Sequence, residues 1–179
     1  DLAVVNPAMF VLLAIPAGRW MDRHYSSALA AGALFTVAGA TIRTFDATSY
    51  GWVLAGQIVM SVGQPLVLSA ITKLAARYFP PSQQTMAISV GSGAQFVGVL
   101  GAMLLAVPLY DAGGLQLVLV FNAVVAALAA VAVLVSLRVP ALNHTQVHEK
   151  TSMAWLRRDS LTWRLAALLL VGFGAYNGL

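Results

Sequence analysis

Five long stretches of this chain contain no Lys, Arg, Asp or Glu: residues 2–18, 24–42, 47–72, 85–110 and 112–137, and a sixth apolar run opens at Leu165. About 20 helical residues cross a bilayer core of roughly 30 Å, with about 17 to 25 common. Each of the five is long enough. Backbone groups in lipid need partners within their own helix or around a closed barrel. The runs lack the polar–apolar alternation of barrel strands, which leaves helices. Composition points the same way. The chain is 60% apolar and 9% charged, against roughly 25% charged in ordinary soluble domains, too little charge to solvate a soluble surface. Without cysteine, thiol nucleophiles and Cys-based metal sites are excluded.

The breaks between runs are basic on alternate sides. Arg19, Arg23, Lys73, Arg77, Arg138, Lys150, Arg157, Arg158 and Arg164 fall on one side, and Arg43 alone among the cations falls on the other. The positive-inside rule makes the basic side cytoplasmic. The segments 19–25, 73–84 and 138–164 are therefore expected to be cytoplasmic loops of a multi-pass plasma-membrane protein whose first visible helix runs outside to inside. Charge placement accounts for the pI near 9.9 as a topology signal, so no nucleic-acid partner is implied. Pro80-Pro81-Ser82-Gln83-Gln84 and Asp111-Ala112-Gly113-Gly114 are expected turns. Trp20, Trp52, Tyr78, Tyr110, Trp155 and Trp163 flank the runs as an interfacial aromatic belt does. The first residue is Asp1 and the last apolar run is still open at Leu179. The chain is expected to be a piece of a longer protein, and the polar stretch 140–160 to connect two of its halves.

Gly18-Arg19-Trp20-Met21-Asp22-Arg23 ends the first run. It resembles the Gly-x-x-x-Asp-Arg/Lys loop signature of the major facilitator superfamily, matching at Gly18, Asp22 and Arg23. Tyr25, Ser26 and Ser27 depart from the glycine and basic residues that follow in the family. The resemblance implies an all-α membrane protein, a major facilitator-type bundle containing helices two to six and the start of helix seven. Residues 1–137 would be the N-terminal six-helix half without its first helix, 138–161 the cytoplasmic central loop and 162–179 the start of the C-terminal half. It also implies a gating role: Gly18 permits close helix approach, and Asp22 and Arg23 make switchable contacts with the other half. The alternative is a solvated loop in which Arg23 only sets topology.

Gly56-Gln57, Gly63-Gln64-Pro65 and Thr72-Lys73-Leu74-Ala75-Ala76-Arg77-Tyr78-Phe79-Pro80-Pro81, with Ala87 further on, resemble the branch containing the feline leukaemia virus subgroup C receptor-related transporters, over roughly residues 56–101. That resemblance implies a small-molecule solute such as choline or ethanolamine, with haem proposed for some members. It implies that Gln95, in Gly93-Ala94-Gln95, and Tyr176 line the substrate, the tyrosine by a cation–π contact. From the residues alone, Gln57, Ser61, Gln64 and Thr72 share one helix face. Amides in lipid turn towards protein or water, so Gln57 either lines a path or bonds to a neighbouring helix, and Gln64 stands beside a kink expected at Pro65. Asn6 and Asn122 are single intramembrane amides with the same two readings. Gly91, Ala94, Gly98 and Gly101 form a small-residue ridge suited to helix packing. Glycines at 172, 174 and 178 make the last run easy to interrupt, as at transport sites.

No catalytic residues, cofactor or metal site are expected. His144 and His148 sit at i, i+4 before Glu149 in a polar stretch and read as solvated. There is no phosphate-binding loop, zinc-protease or serine-hydrolase motif, so an ATP-driven pump or a hydrolase has no support. The expected function is solute transport by alternating access, in a protein monomeric when full length. No ionisable residue lies deep in the five complete runs. Facilitated transport, or coupling through groups on other helices, follows from that. A proton-coupled drug or organic-anion carrier of the same fold, and a membrane receptor or enzyme with unrelated helices, remain as alternatives.

Overall fold

The computed structural model describes residues 2–140. These hold four continuous helical segments: α1 (Leu2–Arg23), α2 (Tyr25–Ile42), α3 (Tyr50–Tyr78) and α4 (Pro81–Ser136). No strand occurs among the described residues. α2, α3 and α4 are each long and apolar enough to cross a membrane, and the protein is a multi-pass helical membrane protein.

α4 is two helices. Its 56 residues would make a straight rod of about 84 Å at 1.5 Å per residue, yet both its ends lie at Tyr78. Pro81 follows Tyr78 by three residues, and the Tyr78 hydroxyl donates to the Val139 carbonyl at 3.3 Å. The chain reverses at Gly113 and Gly114, whose backbone is not helical, and Gly114 has φ +66°. A left-handed residue is disfavoured for any side chain but tolerated by glycine. We label the arms α4a (81–112) and α4b (115–136). The five expected spans are thus α1, α2, α3, α4a and α4b.

One end of the bundle gathers the end of α1, the start of α2, the end of α3 and residues 137–139; we call it the Tyr78 end. There Met21, Tyr25, Ala28, Leu29, Leu66 and Ala70 are buried together, with Tyr78, Val133 and Leu137 packed against them. At the opposite end the Gln116 side-chain amide donates to the Thr44 carbonyl at 2.8 Å, tying the start of α4b to the link between α2 and α3.

Two expected loops prove to be mostly helix. Residues 19–23 are the last turn of α1, joined to α2 through His24 alone, and 73–78 complete α3, so that only Phe79 and Pro80 separate α3 from α4. Charge ends an apolar run but does not end a helix. The 29 residues of α3 extend about 43 Å, longer than the roughly 30 Å core, so its last turns carry Lys73 and Arg77 beyond the hydrocarbon. Pro81 opens α4 where its missing N–H costs nothing. Pro65 is buried within the continuous α3. The segment 138–164 is described only to residue 140. Its remainder, with His144, His148 and Glu149, and the start of the C-terminal half at 162–179, with Tyr176, lie outside the described residues.

α2 and α3 meet through glycine. A Cβ on Gly39 would stand 2.5 Å from the Gly56 carbonyl oxygen, and one on Gly63 would stand 2.6 Å from the Gly32 carbonyl oxygen. Gly39 faces Gly56 and Gly32 faces Gly63, each pair one heptad from the other, as antiparallel neighbours require. In lipid there is little hydrophobic drive to bring helices together, so close backbone approach and its dispersion contacts carry the association.

Candidate functional site

The residues that carry the family-like motif gather at the Tyr78 end. Asp22 pairs with the Lys73 ammonium of α3; the carboxylate is exposed and the lysine about one-third exposed. The Arg77 guanidinium lies 5.3 Å from the centre of the Tyr25 ring, within reach of a cation–π contact. The Arg77 Nε and the Tyr25 hydroxyl are buried without hydrogen-bond partners, so the stacking is the interaction this arginine makes with α2. Arg23 is exposed, and a Cβ on Gly18 would meet nothing within 4 Å.

A second polar group lies between α1 and α3. Ser61 is fully buried. Its hydroxyl reaches the Gln57 carbonyl at 2.7 Å and the side-chain amide of Asn6. One hydroxyl carries one proton. Both contacts are satisfied together when Ser61 donates to the carbonyl and the Asn6 amide, turned by half a rotation, donates to Ser61. Gln57 is itself buried and Gln64 half-buried. Thr72, on the same stripe, is exposed and donates back to the Ser69 carbonyl at 3.3 Å. The stripe is therefore split: its middle joins two helices, and its Tyr78-end member points outward.

α4a stands apart from both groups. Gln95 is exposed. Gly91 faces α3, where a Cβ would come 2.9 Å from the Ile71 Cγ2, but Gly98 and Gly101 have nothing within 4 Å among the described residues. Asn122, on α4b, is exposed and donates to the Val118 carbonyl one turn back at 3.2 Å.

At the end opposite Tyr78, two ionisable groups are perturbed. Asp46 accepts from the Thr48 hydroxyl and from the backbone N–H groups of Thr48 and Ser49. These bonds, the Thr48 hydroxyl first, hold its carboxyl below the usual aspartate range. Burial lowers Arg43 from its ordinary value, and its Nε has no hydrogen-bond partner.

An Asp at the end of α1 paired to a Lys at the end of α3, in a bundle of apolar spans, accords with a sequence match across residues 2–179 to the Major Facilitator Superfamily. The chain belongs to the major facilitator superfamily. That family is one of membrane solute carriers, not of enzymes. The chain is also 37% identical over 101 residues to "Solute carrier family 49 member A3" of Danio rerio, a stretch covering 56% of this chain and 21% of the relative. The chain thus matches only a small part of that relative's length. No solved structure matches the chain.

Sequence reading missed Lys73 as the partner of Asp22, although Lys73 stood in the quoted motif. It also missed the α2–α3 glycine seam, whose signal was the seven-residue spacing of Gly32–Gly39 and of Gly56–Gly63.

Proposed function

We propose that the chain is most of the N-terminal half of a secondary carrier that moves a small solute by alternating access, with the Tyr78 end in the cytoplasm. The observation that carries this reading is the Asp22–Lys73 pair, formed within one half by the motif of the superfamily. An Asp that switches between partners in two states needs a resting partner of moderate strength. An exposed pair contributes about 0–1 kcal/mol, small enough to be exchanged for a contact in the other half. Lys73 therefore acts as the intra-half partner of the gate, and Arg23, exposed beside it, is free to engage the opposing half. Nine of the ten cations lie on the side that charge makes cytoplasmic, which supports the orientation.

The solute is a small organic amine of the choline or ethanolamine kind. The resemblance of the 56–101 region supports this, as do five runs without Lys, Arg, Asp or Glu, whose amides and aromatic rings suit a cation that brings its own charge. Gln95, Tyr176, Gln57, Gln64 and Asn6 are the proposed lining residues. Of these, Asn6 is the one whose side chain is tied to a neighbouring helix, through Ser61. Gly98 and Gly101 are the proposed contact points for helices of the full-length carrier.

The test is uptake of labelled choline and ethanolamine into proteoliposomes holding the full-length protein, with Gln95→Ala and Tyr176→Ala alongside. Uptake in the wild type and its loss in both variants is expected. Unchanged uptake in both variants sinks the site assignment, and transport of organic anions instead of amines sinks the solute class. Labelling of cysteines introduced at Arg23 and at Thr48 from either side of the membrane checks the orientation.

A further inference from the structure

The α2–α3–α4b face carries a groove lined by neither the Asp22–Lys73 pair nor the Asn6–Ser61 contact. A cavity of about 190 Å³ is lined there by Ala40, Met60, Leu119, Val125, Ala126 and Ala129, with Thr36 and Asn122 as its neutral polar members and Arg43 as its one charged member. The two neutral polar groups are already satisfied: Thr36 donates to the Gly32 carbonyl at 2.8 Å and Asn122 to the Val118 carbonyl at 3.2 Å. The groove wall is in effect apolar, with one cation. Gly56 makes room for that cation, because a Cβ there would stand 2.5 Å from the Arg43 Cγ. The arginine stem packs against Gly56, Arg43 lines the groove, and its Nε is buried without a hydrogen-bond partner.

The dimensions identify what fits. From Leu119 to Ala129 is about 15 Å along a helix, half of the roughly 30 Å hydrocarbon core and so the depth of one leaflet. Arg43 follows the last residue of α2, where a leaflet's headgroups lie. Arginine is the side chain suited to a phosphate, which it meets with two parallel N–H donors. We infer that this groove binds a phospholipid, its phosphate on the Arg43 guanidinium and one acyl chain between α2 and α4b. The lipid phosphate accepts from the terminal nitrogens of Arg43, and its chain fills the space beside Ala126, where a larger side chain would stand in its place.

The test measures phosphatidylglycerol retained by the full-length protein in native mass spectrometry after detergent exchange. Wild type is expected to retain one lipid and to discriminate against diacylglycerol of the same chains. Arg43→Gln is expected to lower retention about tenfold, the loss of one charge-assisted hydrogen-bonded contact, while Arg43→Lys keeps most of it. Ala126→Trp fills the groove and is expected to abolish retention with Arg43 intact, which decides the matter even if Arg43→Gln does not fold. Equal retention of diacylglycerol, retention unchanged in Ala126→Trp, or displacement of the lipid by inorganic phosphate alone would each overturn the proposal. So would a wild type that retains no lipid, the result if another segment of the full chain occupies the groove.

Discussion

Two sets of helical glycines meet opposite surroundings. Gly32, Gly39, Gly56 and Gly63 hold α2 and α3 so close that a single added carbon would strike a backbone oxygen within 2.5 to 3.2 Å. Gly98 and Gly101 on α4a stand beside open space among the described residues. The surrounding helices differ in kind as well. The most apolar stretch of α4 has a mean hydropathy of 2.8 with 11% of its residues buried, against 1.5 and 39% for α3. A spacing of small residues thus marks a surface able to receive a helix, and the receiving partner decides whether it is a static joint. The seam is a joint between α2 and α3. On α4a, Gly98 and Gly101 meet no such partner among the described residues.

The sharpest way to break this comparison is to enlarge a seam glycine. Gly39→Leu is expected to destabilise the full-length protein by about 3 kcal/mol or more, above the usual overpacking range because the obstacle is backbone. A fall in detergent-solubilised, monodisperse protein and in its melting midpoint would show it; a variant as stable as wild type would refute the seam. The counterpart, Gly98→Leu, is expected to shift stability by within about 0.5 kcal/mol while slowing uptake, because in the proposed carrier it thickens a surface that meets a moving partner. A large stability loss with unchanged transport would make the ridge a second static joint.

A smaller effect is expected at the Tyr78 end. Asp22→Asn and Lys73→Gln should each cost at most about 1 kcal/mol, and a double-mutant cycle should return a coupling of that size or less. Their larger effect should fall on transport and on the balance of inward- and outward-facing states, read by accessibility of introduced cysteines. A coupling well above this range would make the pair a fixed strut and remove it from the proposed gate.

The smallest expected effect lies at the other end of the seam, in the α2–α3 link. Asp46 has its folded-state pKa held below the unfolded value by Thr48 and Ser49. Its contribution to stability is therefore present above the unfolded aspartate range and fades as pH falls through the lower folded value. Asp46→Asn should lower the melting midpoint slightly at neutral pH and leave it unchanged in strong acid. Equal losses at both pH values would assign the effect to geometry and not to charge.

Much of the fold was legible because lipid imposes a simple rule: long uncharged runs are helices. The boundaries of α2 and the reversal at Gly113–Gly114 followed from uncharged length and turn chemistry. The grouping of Arg19, Arg23, Lys73, Arg77 and Arg138 at one end followed from loop charge. Helix ends were less legible. Arg19, Asp22, Lys73 and Arg77 marked the membrane boundary, but a helix crosses that boundary freely because its hydrogen bonds are internal. Asn6, Gln57 and Gln64 were legible as polar groups needing partners, but not the choice of Ser61 as the partner of the Asn6 side chain.

The sequence by itself determined that this chain crosses the membrane repeatedly, which helix ends lie together, and that its first visible helix closes on a major facilitator signature. Only the tertiary structure decided that Gly39 meets Gly56, that Asp22 rests on Lys73, and that Arg43 lines an apolar groove. The reason is physical. Periodicity states which residues share a helix face, but in a bilayer a face turned to lipid and a face turned to another helix are equally apolar. Which faces meet is therefore set by steric fit between backbones, and no single helix contains that information.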